Sequence, residues 1–348
     1  MALGPIMLDI DGTELTPADR DLLREPAVGG LILFSRNYES PKQITELVAE
    51  VRGLRRPPLL IAVDYEGGRV QRFHEGFTEI PAMRRLGRLY DEDPGGALKL
   101  ARTTGWLIAA ELRACGIDLS FSPCVDLDWG VNSAIGDRAF HPKPQVVAEL
   151  ARQSVLGLRQ AGMASVAKHF PGHGAVAADS HERLPVDRRE FGDLLEDMRP
   201  YESLLGHGLL PAVMMSHVVY DELDALPASL SRYWMQAQLR DQLRFDGAIF
   251  TDDMSMKATS TYGSMAKRSR MALDAGADMV LVCNDRRAAA SSVAALGDYL
   301  NPPSLVRLAR LHGEQAPDRA ALRSSDEWQD AVRALDRFSS RPTLELDA

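Results

Sequence analysis

The feature that most constrains this chain is an alternation of eight short apolar, β-rich runs with eight longer segments of helical period. The runs lie at 6–10, 30–34, 59–63, 119–122, 164–168, 212–216, 248–251 and 279–282. Most are continuously apolar rather than alternating, the pattern of parallel strands buried on both faces. Between them, Ser40-Pro41 supplies an N-cap and first turn, after which Ile44, Leu47, Val48 and Val51 fall on one helical face. Thr16-Pro17 opens another helix before Leu22 and Leu23; Val147, Leu150, Ala151 and Leu158 form a third stripe that Gly162 closes. Ser231 reads as the cap of a helix through Leu239, and further helical segments lie at 98–113, 190–205, 266–275 and 288–300. This tally predicts an α/β fold, a (β/α)8 TIM-type barrel, as a single catalytic domain over residues 1–300. A doubly wound sheet would need a glycine-rich phosphate turn after its first strand, and Asp9-Ile10-Asp11-Gly12 is not one. Residues 301–348 read as a charged helical extension packed on the barrel.

A formal net charge of -9 argues against a nucleic-acid partner and offers no basic patch for a membrane surface. No run approaches the roughly 18 apolar residues of a membrane span, and Met1-Ala2-Leu3-Gly4-Pro5 lacks the pattern of a signal peptide. Cys115, Cys124 and Cys283 are odd in number and sit in apolar segments, so we expect buried free thiols and a cytoplasmic location. A monomer acting on a small molecule is the expectation for partners.

In a (β/α)8 barrel the active site lies at the C-terminal ends of the strands. Here Asp64 ends the third run, Lys168 and His169 the fifth, Ser216 and His217 the sixth, and Asp252 and Asp253 the seventh; Asn284 follows the eighth. Burying such groups without partners is costly, so a set of them at strand ends points to chemistry. After the fifth run, Pro171, Gly172 and Gly174 forbid a regular helix and place His173 and His181 on an irregular loop. Asp179, two residues before His181, can orient the imidazole and favour its protonated form. The spacing of His169 and His173 imitates a helical zinc pair, but Phe170-Pro171-Gly172 cannot put both on one helical face, so we expect no metal and no cofactor. Only one of the consecutive Asp252 and Asp253 should face the barrel mouth, and their positions alone do not choose between them. In the loop after the third run, Glu66 and Arg69 read as a local ion pair.

Together, Lys168-His169-Phe170-Pro171-Gly172-His173-Gly174, Asp179-Ser180-His181, Asp64 with Glu66-Gly67-Gly68-Arg69-Val70-Gln71-Arg72, Gly136-Asp137-Arg138 and Phe250-Thr251-Asp252-Asp253-Met254-Ser255-Met256 resemble glycoside hydrolase family 3. The resemblance spans about residues 5 to 300 and is to the single-domain cytoplasmic β-N-acetylglucosaminidases of peptidoglycan recycling. It implies a retaining exo-β-N-acetylglucosaminidase acting on peptidoglycan fragments. Asp252 would be the nucleophile and His181 the acid/base, with Asp179 as its partner; Asp64, Arg72, Arg138, Lys168 and His169 would bind the sugar. Tyr65 and Asp137 depart from the family pattern, which more often has Gln and Glu there. A phosphorylase using the same Asp/His pair is the nearest alternative, and a metal-dependent barrel enzyme a more distant one.

Overall fold

The computed structural model describes residues 3–180 and 182–340. Each of the eight apolar runs coincides or overlaps with a parallel strand: β1 (Ile6–Leu8), β2 (Val28–Leu33), β3 (Leu60–Val63), β4 (Leu119–Ser120), β5 (Val166–Phe170), β6 (Ala212–Met215), β7 (Ala248–Thr251) and β8 (Val280–Val282). Ladders run β8-β1-β2-β3-β4 and β5-β6-β7. Parallel bridges Leu119–Ala164 and Phe250–Met279 join the two arcs. Backbone bonds from Val166 N–H to the Ser122 carbonyl (2.9 Å) and from Thr251 N–H to that of Met279 (3.1 Å) complete the closure. The ring is therefore the (β/α)8 barrel that the alternation predicts.

Two apolar layers follow from strands buried on both sides. Inside the ring, Met7, Ile32, Leu60, Ala62, Phe121, Val166, Met214, Phe250 and Leu281 interdigitate, with the Phe121 and Phe250 rings packed edge to face at 5.5 Å. Outside it, the opposite side chains of the same strands meet the helical stripes, including Ile44, Leu47, Val48 and Val51 of the helix Pro41–Gly53. The Thr16 and Ser40 hydroxyls cap their helices by accepting the N–H groups of Asp19 and Gln43. Ser231 does the same for Trp234 at 3.1 Å, ahead of the π-wound helix Tyr233–Gln242. The helix Met83–Glu92 is an addition to the sequence reading: it precedes Pro94–Arg113 within the β3–β4 connection.

After residue 301 come three helices, Pro302–Ala309, Arg319–Ser324 and Asp326–Ser339. Leu308 and Leu311 join the interior apolar cluster at the base of the barrel, while Trp328 donates its indole N–H to Glu111 at 2.9 Å. Among the described residues, no helix is long and apolar enough to cross a membrane. Cys115, Cys124 and Cys283 are buried free thiols.

Candidate active site

At the C-terminal end of the strands the barrel opens into a cavity of about 630 Å³. Asp64, Arg72, Arg138, Lys168, His169, Asp179 and Asp252 all line it, so seven of the eight residues singled out for chemistry or sugar binding converge. The eighth, His181, lies outside the described residues.

Lys168 and His169 are neighbours on β5, joined by a cis peptide bond, and the register with β6 shifts between Lys168 and Phe170. The register shift re-aims side chains that strict alternation would send to opposite faces, and both reach the cavity. Lys168 Nζ donates to Asp64 Oδ1 at 2.8 Å and contacts Glu66 Oε1 at 2.6 Å. Burial would lower the Lys168 pKa, but the two carboxylates outweigh it and raise the pKa above its ordinary value. Arg72 lies 3.5 Å from the other Asp64 oxygen. Burial alone would raise the Asp64 pKa; Lys168 and Arg72 reverse that and hold the carboxyl below its usual range.

The local Glu66–Arg69 pair expected from the sequence does not form. Glu66 instead receives Arg138 Nε and Nη2 at 2.9 Å each, and Arg69 turns outward to Asp137 at 3.1 Å. The family-atypical Tyr65 is buried, its hydroxyl donating to the Phe73 carbonyl at 3.0 Å, and the atypical Asp137 is the partner of that outward Arg69.

A second buried carboxylate, Asp126, escaped the sequence reading because it lies past Pro123, beyond the β4 run. One of its oxygens accepts His169 Nδ1–H (2.7 Å) and the other the His173 N–H (2.7 Å). Burial would raise the Asp126 pKa, but His169 and His173 bring it down to about 2. The Nδ1 bond leaves His169 Nε2 on the Arg138 side, 3.5 Å from its Nη2. Cys124, Asp126 and His169 lie close enough together to suggest a metal cluster. In this structure they are hydrogen-bonded to one another, Cys124 Sγ to Asp126 at 3.3 Å and Asp126 to His169 at 2.7 Å.

The loop after β5 is irregular, as Pro171, Gly172 and Gly174 require. A Cβ on Gly174 would stand 1.9 Å from the Leu127 carbonyl, and Gly172 holds φ 151° against Asp197. Asn132 pins this loop, its amide donating to the carbonyls of His173 (3.0 Å) and Val176 (2.6 Å). The same amide faces His173 Nδ1 at 2.9 Å, which makes Nδ1 the acceptor and leaves Nε2–H for the Ser180 hydroxyl at 3.3 Å. Burial, with His169 adding to it, lowers the His173 pKa to about 4.

Asp252 and Asp253 both border the cavity, yet their environments differ. Asp253 braces β7 to β8: Oδ1 accepts Ser255 N–H (2.9 Å) and Cys283 N–H (3.0 Å), and Oδ2 accepts the Ser255 hydroxyl (2.6 Å). Burial raises its pKa to about 6, against those three bonds and with the Asp252 charge adding to the rise. Asp252 receives only the Asp253 N–H, at 2.8 Å, leaving its second oxygen without a hydrogen-bond partner among the described residues. Burial would raise its pKa as well, but His169, His217, the Asp253 N–H and Lys168 outweigh that and bring it to about 2. His217, at the end of β6, is held by Ser229 Oγ (2.6 Å) and the Asp253 carbonyl (2.9 Å). Asp252 is thus an ionised carboxylate in a cavity, with one oxygen left over.

Comparison with known proteins agrees with this geometry. The N-terminal domain of glycosyl hydrolase family 3 matches residues 7–306. A β-hexosaminidase of Thioalkalivibrio sulfidiphilus is 52% identical over the full length of both chains. The structure of NagZ from Neisseria gonorrhoeae in complex with N-trifluoroacetyl-D-glucosamine superposes with a TM-score of 0.92, at 40% identity, covering 98% of this chain and 99% of that one. A family 3 β-N-acetylglucosaminidase from a Paenibacillus species gives 0.86 at 30% identity, over 96% of this chain and 67% of that one. The chain belongs to glycoside hydrolase family 3.

Proposed function

We propose that this protein is a retaining exo-β-N-acetylglucosaminidase that removes terminal, non-reducing β-1,4-linked N-acetylglucosamine from peptidoglycan fragments, N-acetylglucosaminyl-anhydromuramyl peptides among them. The observation that carries the reading is Asp252: a depressed pKa and one oxygen without a partner among the described residues, in a cavity ringed by Asp64, Arg138, Lys168 and His169. The N-acetylglucosamine analogue held by the Neisseria relative, and the β-N-acetylglucosaminidase and β-hexosaminidase names of the relatives, support the same substrate class.

In this reading Asp252 attacks the anomeric carbon while His181, partnered by Asp179, protonates the leaving oxygen. Water deprotonated by His181 then releases the sugar from the Asp252 ester with retention. The usual template has two carboxylates; an imidazole with an unperturbed pKa near 6.5 serves the same purpose near neutral pH. It also avoids a second negative charge beside Asp252. Lys168, Arg138 and Arg72 offer donors to the sugar hydroxyls, and Asp64 and the His169 Nε2 offer acceptors. We further take the enzyme to be a cytoplasmic monomer with one catalytic domain, needing no cofactor, the helices after 301 forming an extension of it.

Hydrolysis of an aryl N-acetylglucosaminide compared with the aryl glucoside tests the substrate class; preference for the glucoside would remove it. Trapping with a fluorinated sugar followed by peptide mapping should label Asp252, and a label on Asp253 would overturn the mechanism. Phosphorolysis by the same residues would appear as sugar 1-phosphate when phosphate is added.

A further inference from the structure

Glu66 is 3% exposed, on the short strand Tyr65–Gly67 that follows Asp64. Its two oxygens take Arg138 Nη2 and Nε at 2.9 Å each, and Oε1 also takes Lys168 Nζ at 2.6 Å. Three donors from two cations occupy it. Lys168 gives its second N–H to Asp64, which leaves a third for the cavity. On the guanidinium, Arg138 Nη1 donates to the Ala134 carbonyl at 3.0 Å, so its plane is fixed on both sides.

We propose that Glu66 is a positioning residue for sugar binding: it does not touch the sugar but holds the Lys168 ammonium and the Arg138 guanidinium where they meet the sugar hydroxyls. The inference rests on the reading of Lys168 and Arg138 as sugar-binding groups. Its physical basis is the cost of placing two buried cations on one wall. Without a shared carboxylate they repel, and each would lose the bonds that repay its desolvation. A bidentate fork fixes the Arg138 plane in a way that a point contact does not. The connection spans 72 residues from Glu66 to Arg138 and ties the loop after β3 to the loop after β4.

Glu66→Gln tests this, with KM, kcat and the inhibition constant for N-acetylglucosamine as readouts. The expected result is a rise in KM and in that inhibition constant on the order of tenfold, as for loss of a hydrogen bond to a charged group, with kcat less affected. The alkaline limb of kcat/KM should also move to lower pH. Lys168 is faced by Asp64, Glu66, Arg138 and Asp252, with His169 beside it. Removing Glu66 takes away one of the carboxylates that keep it protonated and leaves the Arg138 charge in place. Glu66→Asp keeps the charge but is one methylene too short to serve both cations, so it should raise KM and leave the limb where it is. It also carries the test if the Gln variant does not fold. A folded Glu66→Gln or Glu66→Asp enzyme whose KM and inhibition constant stay within twofold of the parent overturns the proposal. Lys168→Met separates the two levels: an unchanged KM there removes the underlying sugar-site reading, whereas a raised KM there with none at Glu66 removes only the positioning role.

Discussion

The two ends of this barrel carry the same kind of buried charge and put it to different use. At the base, Asp118 is fully buried. It takes the guanidinium groups of Arg52 and Arg113 and the N–H groups of Ile61 and Gly313, the last two at 3.0 Å. Asp278 likewise takes Arg240 at 2.8 Å, Ile249 N–H at 2.8 Å, the Ser304 hydroxyl at 2.5 Å and Arg307 at 3.3 Å. Both tie the start of a strand to the segments after 301. At the mouth, among the described residues, Asp252 has one oxygen unfilled and Lys168 one N–H to offer. A cavity of about 490 Å³ exists at the base too, but neither Asp118 nor Asp278 lines it. Buried ion pairs and hollow space therefore do not mark a site separately; at the mouth the paired carboxylates Asp64 and Glu66 and their cations line the cavity themselves.

The largest test of that contrast is at the mouth. Asp252→Ala should lower kcat/KM by roughly 10⁴-fold or more, as removal of a nucleophile does, while the thermal midpoint stays near the parent's. A residual activity within a hundredfold would place the nucleophile elsewhere. At the base the balance reverses. Asp278→Ala strands two arginines and a strand N–H and should cost about 3–5 kcal/mol of stability in urea titration. The kcat/KM of the folded enzyme should stay within twofold, and a changed KM there would erase the distinction between the ends.

His173 provides an intermediate case, at the mouth but acting through structure. Its folded pKa of about 4 lies below the ordinary 6.5, because burial favours the neutral ring that accepts from Asn132. A depressed basic group gives stability that is complete above the unfolded value and is lost as pH falls toward the folded one. As an upper bound, about 3 kcal/mol should disappear between pH 6.5 and 4. His173→Gln should flatten that part of a urea midpoint-against-pH curve; an unchanged slope would assign the loss to other groups.

These contrasts also show what the sequence could disclose. The eight strands were legible because burial on both faces leaves nearly unbroken apolar runs, and their polar ends pointed to the mouth. Asp64, Lys168, His169 and Asp252 were visible for that reason. The helix Met83–Glu92 was not, since Ala82 supplies no capping side chain to announce it. Asp126 sits beyond a proline, four residues past the expected strand end. Glu66 was visible but assigned to the nearer cation, because nothing local reveals that the turn sends Arg69 outward and leaves Glu66 facing Arg138. The choice of Asp252 over Asp253 rested on the family resemblance, whereas the Ser255 and Cys283 bonds now supply a physical reason for it.

Arg69 provides the smallest test, at the rim of the same mouth. Its side chain is 47% exposed, pairs with the 49% exposed Asp137 at 3.1 Å, and donates to the Ser133 and Ala134 carbonyls. Exposed pairs of this kind are worth about 0.2–1 kcal/mol because solvent screens them. The Ala134 carbonyl, however, also receives Arg138 Nη1, so loosening Arg69 reaches the sugar-binding wall through one shared backbone group. Arg69→Ala should therefore raise KM about two- to threefold, leave kcat unchanged, and lose most of its effect in high salt as the parental pair is itself screened. A tenfold rise in KM would mean that the rim belongs with the buried network rather than with the solvated surface.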